Sequence, residues 1–275
     1  MATHPHGAQA VPPRPSTPPA ASEGGIWGVQ HLLHPAMPHR QTFARLYFGD
    51  AVLDVVQELL GLSPGRDADG QLVMELLNLL VSPSGGRDFE LGWHRDDVRP
   101  DVSAAEEARQ LERKSPGGRQ SHAQYNIALY DDASLVVVPG SHRRVRTPAE
   151  RAASPYAANL PGQVTVALGP GDALFYDSNI LHRGVYRGVA EDVVDRGGGR
   201  LTLHGSVGLG GHGGERARQV LQHGVGDWVH RLDFSSSSSS GLGEVVGRRA
   251  EGMRRRLVDM GRDSAAGDVG YSLEG

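Results

Sequence analysis

The sequence predicts a mainly β domain, an antiparallel barrel or sandwich with helices at its flanks. Three observations predict it. Short runs rich in β-branched or aromatic residues, each bounded by glycine or proline, recur through the chain: Tyr125 to Tyr130, Leu135 to Val138, Gln163 to Leu168, Ala173 to Asp177 and Arg200 to Val207. Helical periodicity is confined to the segments before and after these runs. And 275 residues is a length that an all-β barrel reaches as one unit.

Residues 1–24, with the run Val11 to Pro19, are proline-rich and too poor in apolar groups to order themselves, so a floppy arm is expected. From Arg40 to Leu60 apolar residues recur at helical spacing, broken near Gly49-Asp50, where Asp50 can cap a second helix, and Gly61 stops it. Leu72 to Val81 is an apolar run of strand length closed by Pro83. The polar stretch Glu106 to Lys114 reads as a short exposed helix inside a long loop, 98–121, of the kind that serves as a lid. Residues 215–233 read as a helix with Ala217, Val220, Leu221, Val225, Trp228 and Val229 inward. Ser235 to Ser240 is a linker, and the arginine-bearing tail beyond it a flexible segment or solvated helix. The domain is thus drawn over 25–234, with 235–275 as tail.

The chain has no cysteine, which excludes disulfides, iron–sulfur clusters and thiol nucleophiles and leaves histidine and carboxylates as the ligands for any metal. A formal charge of −4 gives no broad basic field, so neither nucleic acid nor an anionic membrane is an expected partner, and a small molecule is. With 22% charged residues there is no spanning segment of about 20 apolar residues, and Met1 to Glu23 lacks a signal-peptide core, so a cytoplasmic location is expected. Of 28 basic residues only Lys114 is lysine; Arg95, Arg99, Arg113, Lys114, Arg119, Arg143, Arg144 and Arg146 could face an anionic substrate, or simply solvent.

Trp93-His94-Arg95-Asp96 sets His94 and Asp96 two apart, on one face if the segment is extended. A third ligand must come from a distant strand, and His182, just after the run Ala173 to Tyr176, supplies it. Two histidines and a carboxylate on one face of an ion leave the opposite positions open, the geometry of Fe(II) that must bind cosubstrate and dioxygen together. The same string could be a polar turn, and Asp97 could stand in for Asp96.

Four blocks resemble the phytanoyl-CoA dioxygenase-like family of Fe(II)/2-oxoglutarate-dependent oxygenases: Trp93-His94-Arg95-Asp96-Asp97; Leu135-Val136-Val137-Val138-Pro139-Gly140-Ser141-His142; Pro170-Gly171-Asp172-Ala173-Leu174-Phe175-Tyr176; and His182 followed by a strand that opens with an arginine. Their order matches from about Gly25 to Trp228. The resemblance implies a double-stranded β-helix, the cupin-like jelly roll, with the triad His94, Asp96 and His182 at one mouth. It also implies an arginine after the distal histidine that binds the far carboxylate of 2-oxoglutarate. Arg200 is taken as that residue because it starts the strand Arg200 to His204, and a strand-borne guanidinium is preorganised for bidentate pairing, whereas Arg183, Arg187 and Arg196 are read as lying in a glycine-bearing loop that cannot hold a rigid fork. Thr202 faces the same way and can add a hydroxyl. Where the family often carries an aromatic residue near the cosubstrate this chain has Asn126, with Tyr125 beside it as a substitute. Ser141 and His142 read as a structural hairpin.

The implied activity is hydroxylation of a C–H bond of a small organic substrate, using dioxygen and releasing succinate and carbon dioxide from 2-oxoglutarate. Asp96 argues against a halogenase, which lacks the carboxylate ligand. The rival readings are a non-catalytic jelly-roll binding protein with a structural metal, and a zinc or manganese enzyme on a cupin-like barrel, in which Arg200 would have no obvious role.

Overall fold

The computed structural model describes residues 27–83, 86, 88–114, 120–190, 199–211, 214–234 and 241–263. The proline-rich arm, Arg119, Arg196 and the six-serine tract lie outside the described residues.

Among the described residues nine strands form two antiparallel sheets. One runs β1 (Trp27–Val29), β2 (Leu72–Val81), β9 (Leu201–Leu209), β4 (His122–Ala128) and β7 (Ala173–Tyr176). The other runs β3 (Phe89–Glu90), β8 (Leu181–Tyr186), β5 (Asp132–Val138) and β6 (Val164–Leu168). Strand pairs 2–9, 9–4 and 4–7 in one sheet and 3–8, 8–5 and 5–6 in the other are the double Greek key of an eight-stranded jelly roll, with β1 added at an edge. Side chains alternate between the barrel interior and the outside. On β4 and β9 the outward residues Ala123, Tyr125, Leu203, Val207 and Leu209 join a core shared with the helices.

The helix layer covers the five-stranded sheet. Helices α1 (Arg40–Tyr47) and α2 (Asp50–Leu59) come before the barrel; Gly49, not Asp50, occupies the cap position of α2, and Asp50 instead pairs with Arg249 at 2.7 Å. Gly61 ends the pair in the left-handed conformation, φ 70°. Short helices α3 (Arg66–Asp69), α4 (Ala104–Lys114) and α5 (Pro148–Ala152) follow, the last closed by a reciprocal Thr147–Glu150 capping box. The expected helix over 215–233 is α6 (Gly214–Gln222) followed by two 3-10 turns, since Gly224 (φ 87°) breaks the α path.

Of the two expectations for the tail the helical one holds, as α7 (Glu244–Asp263), but the helix is packed rather than solvated. Ala250, Met253 and Leu257 on this helix are fully buried and belong to the main core. Burying a side chain the size of Met253 or Leu257 contributes about 1.5–3 kcal/mol. Its arginines are fasteners: Arg249 reaches Asp69 (2.7 Å) and the Phe48 carbonyl (2.8 Å), and Arg256 donates to the Leu72 and Asp69 carbonyls. The packed domain therefore extends past 234.

The reading of 106–114 as an exposed helix is also corrected. Glu107 is wholly buried and holds Arg95 (3.0 Å), Arg146 (3.3 Å) and Arg151. The helix is bolted to the barrel by a carboxylate among three guanidiniums, a network that is costly to break from one side.

A strand that the sequence concealed, β8, carries His182 and Arg183, so Arg183 is not a loop residue. Gly184 disguised it, and its place is steric: a Cβ there would stand 2.1 Å from the Tyr186 hydroxyl. Arg183 points outward to Glu90 (3.3 Å) and the Trp93 ring (5.3 Å). Among the described residues no helix is long and apolar enough to cross a membrane.

Candidate metal centre

His94, Asp96 and His182 converge at one mouth of the barrel. His94 Nε2 lies 3.4 Å and His182 Nε2 3.6 Å from Asp96 Oδ1. The histidines meet through backbone: each amide donates to the other's carbonyl, at 2.9 and 3.0 Å, in an isolated bridge that sets the rings 4.4 Å apart. His94 and Asp96 thus share a direction without lying in a continuous strand.

Both imidazoles are committed on their far side. Nδ1–H of His94 donates to the Gly92 carbonyl (2.7 Å) and Nδ1–H of His182 to the Ile180 carbonyl (2.8 Å). That fixes the tautomer in which each Nε2 lone pair faces inward, as a metal-bound histidine requires. Two nitrogens and a carboxylate oxygen all within 4.8 Å of one another repel unless a cation or proton joins them. Burial works against ionisation of Asp96, but His182, His94 and Gln124 outweigh it and hold the carboxyl below its usual range. Burial and the neighbouring His94 lower His182 to about 4, whereas at His94 the bond and charge of Asp96 overcome burial and raise it. The donor set suits Fe(II) on one face, leaving the other face open.

Four further residues support the centre: Arg95, Ser141 and Tyr176 lie within the family-like blocks, whereas Gln124 carries no signal in the sequence. Gln124 Nε2 donates to Asp96 Oδ2 at 2.5 Å, which leaves Oδ1 facing the two histidine Nε2 atoms. Arg95 turns away from the site and, with 3% exposure, ties the metal loop to Glu107, to the carbonyls of Ser141 (2.9 Å) and Arg144 (3.0 Å), and to that of Asn179. It greets no substrate. Ser141 Oγ accepts from the Leu181 amide at 2.7 Å, placing the start of β8. Tyr176 packs edge-on to His182 at 5.9 Å.

Asp97 points elsewhere. Its Oδ2 accepts from Ser178 Oγ (2.8 Å) and lies 3.7 Å from His122 Nε2, in a buried group with Arg216 and Glu75. Asp96, not Asp97, faces the histidines.

Further along the interior stand the residues expected around a cosubstrate. His204 donates from Nδ1 to Asn126 Oδ1 at 2.8 Å, and its pKa falls to about 4 through burial, so it is neutral at ordinary pH. Asn126 is therefore inside the barrel. Tyr125 is not: one residue along β4 reverses the face, and its ring packs against Tyr47 (6.5 Å) and Phe175 (5.4 Å) on the helix side. Gly205 makes room for it, since a Cβ there would lie 2.3 Å from the ring. The expectation that Tyr125 serves the cosubstrate is corrected.

Arg200 precedes β9 and is 9% exposed, with its guanidinium 4.9 Å from the Tyr186 ring centre. Nε donates to Asp132 Oδ2 (2.9 Å), and Thr202 Oγ1 donates to the same oxygen (2.6 Å). Arg187 is an exposed partner of Asp88. Arg200, Asp132 and Tyr186 line a cavity of about 400 Å³, with Tyr130, Ser134 and Val189 among its other walls. The cavity borders the far ends of β4 and β8 rather than the metal-bearing ends.

Compared by sequence with curated proteins, the chain matches none. Among solved structures it is similar to HygX from Streptomyces hygroscopicus with nickel and 2-oxoglutarate bound (22% identity, TM-score 0.45, 67% of this chain and 70% of that one). It is also similar to EctD from S. alaskensis with 2-oxoglutarate and 5-hydroxyectoine (18%, TM-score 0.41, 66% and 55%). A third is the nickel complex of the non-haem monooxygenase ThoJ (20%, TM-score 0.38, 60% of this chain), about half of whose length, 52%, the chain spans. The family model for phytanoyl-CoA dioxygenase matches residues 19–185, more than half of the chain. The chain belongs to the phytanoyl-CoA dioxygenase family of Fe(II)- and 2-oxoglutarate-dependent oxygenases, and the cofactor and cosubstrate that go with it are Fe(II) and 2-oxoglutarate.

Proposed function

We propose that this member of the phytanoyl-CoA dioxygenase family hydroxylates a C–H bond of a small organic substrate, with Fe(II) held by His94, Asp96 and His182 and 2-oxoglutarate clamped by Arg200. The observation that carries the reading is the convergence of three metal donors whose outer atoms are already engaged by backbone and Gln124. When bound, iron and 2-oxoglutarate supply with dioxygen the oxidising chemistry, at the cost of succinate and carbon dioxide.

The chain's own residues divide the remaining work. Gly92, Ile180 and Gln124 orient the three ligands. Arg200 gives the far carboxylate of the cosubstrate a buried cation, and Thr202 lies beside it. Neutral His204 and Asn126 line the space between and offer hydrogen bonds without charge. Arg95 and Ser141 fasten the two ligand loops to each other, so that the geometry is set before any ligand arrives.

The test is succinate formation by the purified chain with small-molecule candidates, with and without added Fe(II) and 2-oxoglutarate, together with mass spectrometry for a product heavier by one oxygen. Succinate that requires both additions supports the oxygenase reading. Stoichiometric metal binding with no succinate under any condition would favour a binding protein with a structural metal.

A further inference from the structure

We propose that Asp132 is a built-in competitor for the distal carboxylate of the cosubstrate, and so a residue that sets how tightly 2-oxoglutarate binds. The inference rests on the reading of Arg200 as the carboxylate clamp. Asp132 opens β5 with 6% exposure. Its Oδ1 accepts from the Ser134 amide (2.9 Å) and hydroxyl (2.6 Å), and its Oδ2 from Arg200 Nε (2.9 Å) and Thr202 Oγ1 (2.6 Å). The last two donors are those assigned to the ligand. A carboxylate of the chain already stands where a ligand carboxylate would be bound.

The clamp is only partly used in this way. Arg200 Nη1 is buried and has no hydrogen-bond partner, so one arm of the fork remains for a second anion. An incoming dicarboxylate has two routes. It can share the guanidinium through the free arm, beside a like charge in a dry setting, or it can displace Asp132 from Nε and Thr202. Like charges within a few ångströms oppose each other's ionisation, and the opposition grows with burial. Either route costs affinity.

Orientation of the fork does not depend on the charge of Asp132. Arg200 Cζ stands over the Tyr186 ring, 4.9 Å from its centre, and an asparagine at 132 can still accept from Arg200 Nε. Removing the charge should therefore relieve the repulsion and leave the clamp in place.

The test uses the full chain loaded with Ni(II), titrated with 2-oxoglutarate by calorimetry, with the ligand-induced rise in Tm as a second readout. Asp132→Asn should bind 2-oxoglutarate on the order of tenfold more tightly than the parent, and its Tm should rise further on addition of the ligand. Ser134→Ala, which removes one of the bonds holding Oδ1, should move the same way by less. Unchanged or weaker binding by folded Asp132→Asn overturns the proposal; should that variant not fold, unchanged or weaker binding by Ser134→Ala does so. Arg200→Ala separates this from the reading beneath it. Parent-like binding by Arg200→Ala overturns both, whereas weakened binding there with no gain in Asp132→Asn removes only the competitor.

Discussion

The two ends of the barrel interior solve the problem of buried charge in opposite ways. At the metal end three acceptor atoms face one another, while every outer atom of the histidines and Asp96 is pinned by backbone or by Gln124. At the Arg200 end the cation is met by the chain's own carboxylate, which is in turn saturated by Ser134 and Thr202. One end is incomplete without a ligand, and the other is nearly self-sufficient. Preorganisation at the first costs folding energy that the metal returns; pairing at the second spares the fold an isolated buried charge but taxes the ligand.

The largest expected effect breaks the metal end outright. His182→Ala and Asp96→Ala should lose metal affinity by more than about 100-fold, beyond the usual range for a supporting residue, while Asp97→Ala keeps it. Metal content after dialysis checks this; parent-like iron in His182→Ala would remove that residue from the site.

Next is the carboxylate end. Losing one partner of a buried charge pair typically costs about 2–5 kcal/mol, so Arg200→Ala should raise the half-saturating 2-oxoglutarate by about 30-fold or more without changing metal affinity. Arg200→Lys should recover only part, because an ammonium lacks the paired fork. A titration of succinate formation reads both, with Arg187→Ala, an exposed site, expected to match the parent.

A third change strikes the fastening behind the metal loop. Glu107→Ala strands three guanidiniums and should lower stability by about 3–5 kcal/mol, seen as a fall in denaturant midpoint. If the midpoint held while metal binding vanished, Glu107 would belong to the site and not to its support.

Gln124→Ala sharpens the comparison by loosening Asp96 alone, and should weaken metal binding by about 10- to 100-fold.

The smallest effect concerns acid. Burial, with help from His34 and His223, lowers His31 to about 4, against an unfolded value near 6.5. A depressed histidine binds its proton more readily unfolded, so stability is intact above pH 6.5 and declines as pH falls from there toward 4. Between pH 7 and 5.5 the loss should be on the order of 1 kcal/mol. His31 sits at φ 59°, a conformation asparagine tolerates, so His31→Asn should flatten the decline in Tm. An equally steep decline in the variant would assign the acid sensitivity to His204 or other buried histidines.

The strand runs, the apolar Leu72 to Val81 and the break at Gly49-Asp50 could be read from residues alone, because apolar periodicity and glycine punctuation are local properties, whereas the three candidate ligands also needed the order of the family-like blocks around them. Strand β8 escaped because Gly184 looks like a loop until Tyr186 is seen to fill the space above it. Helix α7 looked solvated because arginine dominates its composition, although Ala250, Met253 and Leu257 fall on one buried stripe. Tyr125 and Asn126 could not be sorted, since adjacent strand residues face opposite ways and nothing local says which face is the interior. Gln124 on Asp96, Glu107 under Arg95 and Asp132 on Arg200 lie 28, 12 and 68 residues from their partners. Such pairings are decided by which strands the jelly roll brings side by side, and a charge in sequence carries no mark of the charge that will bury it.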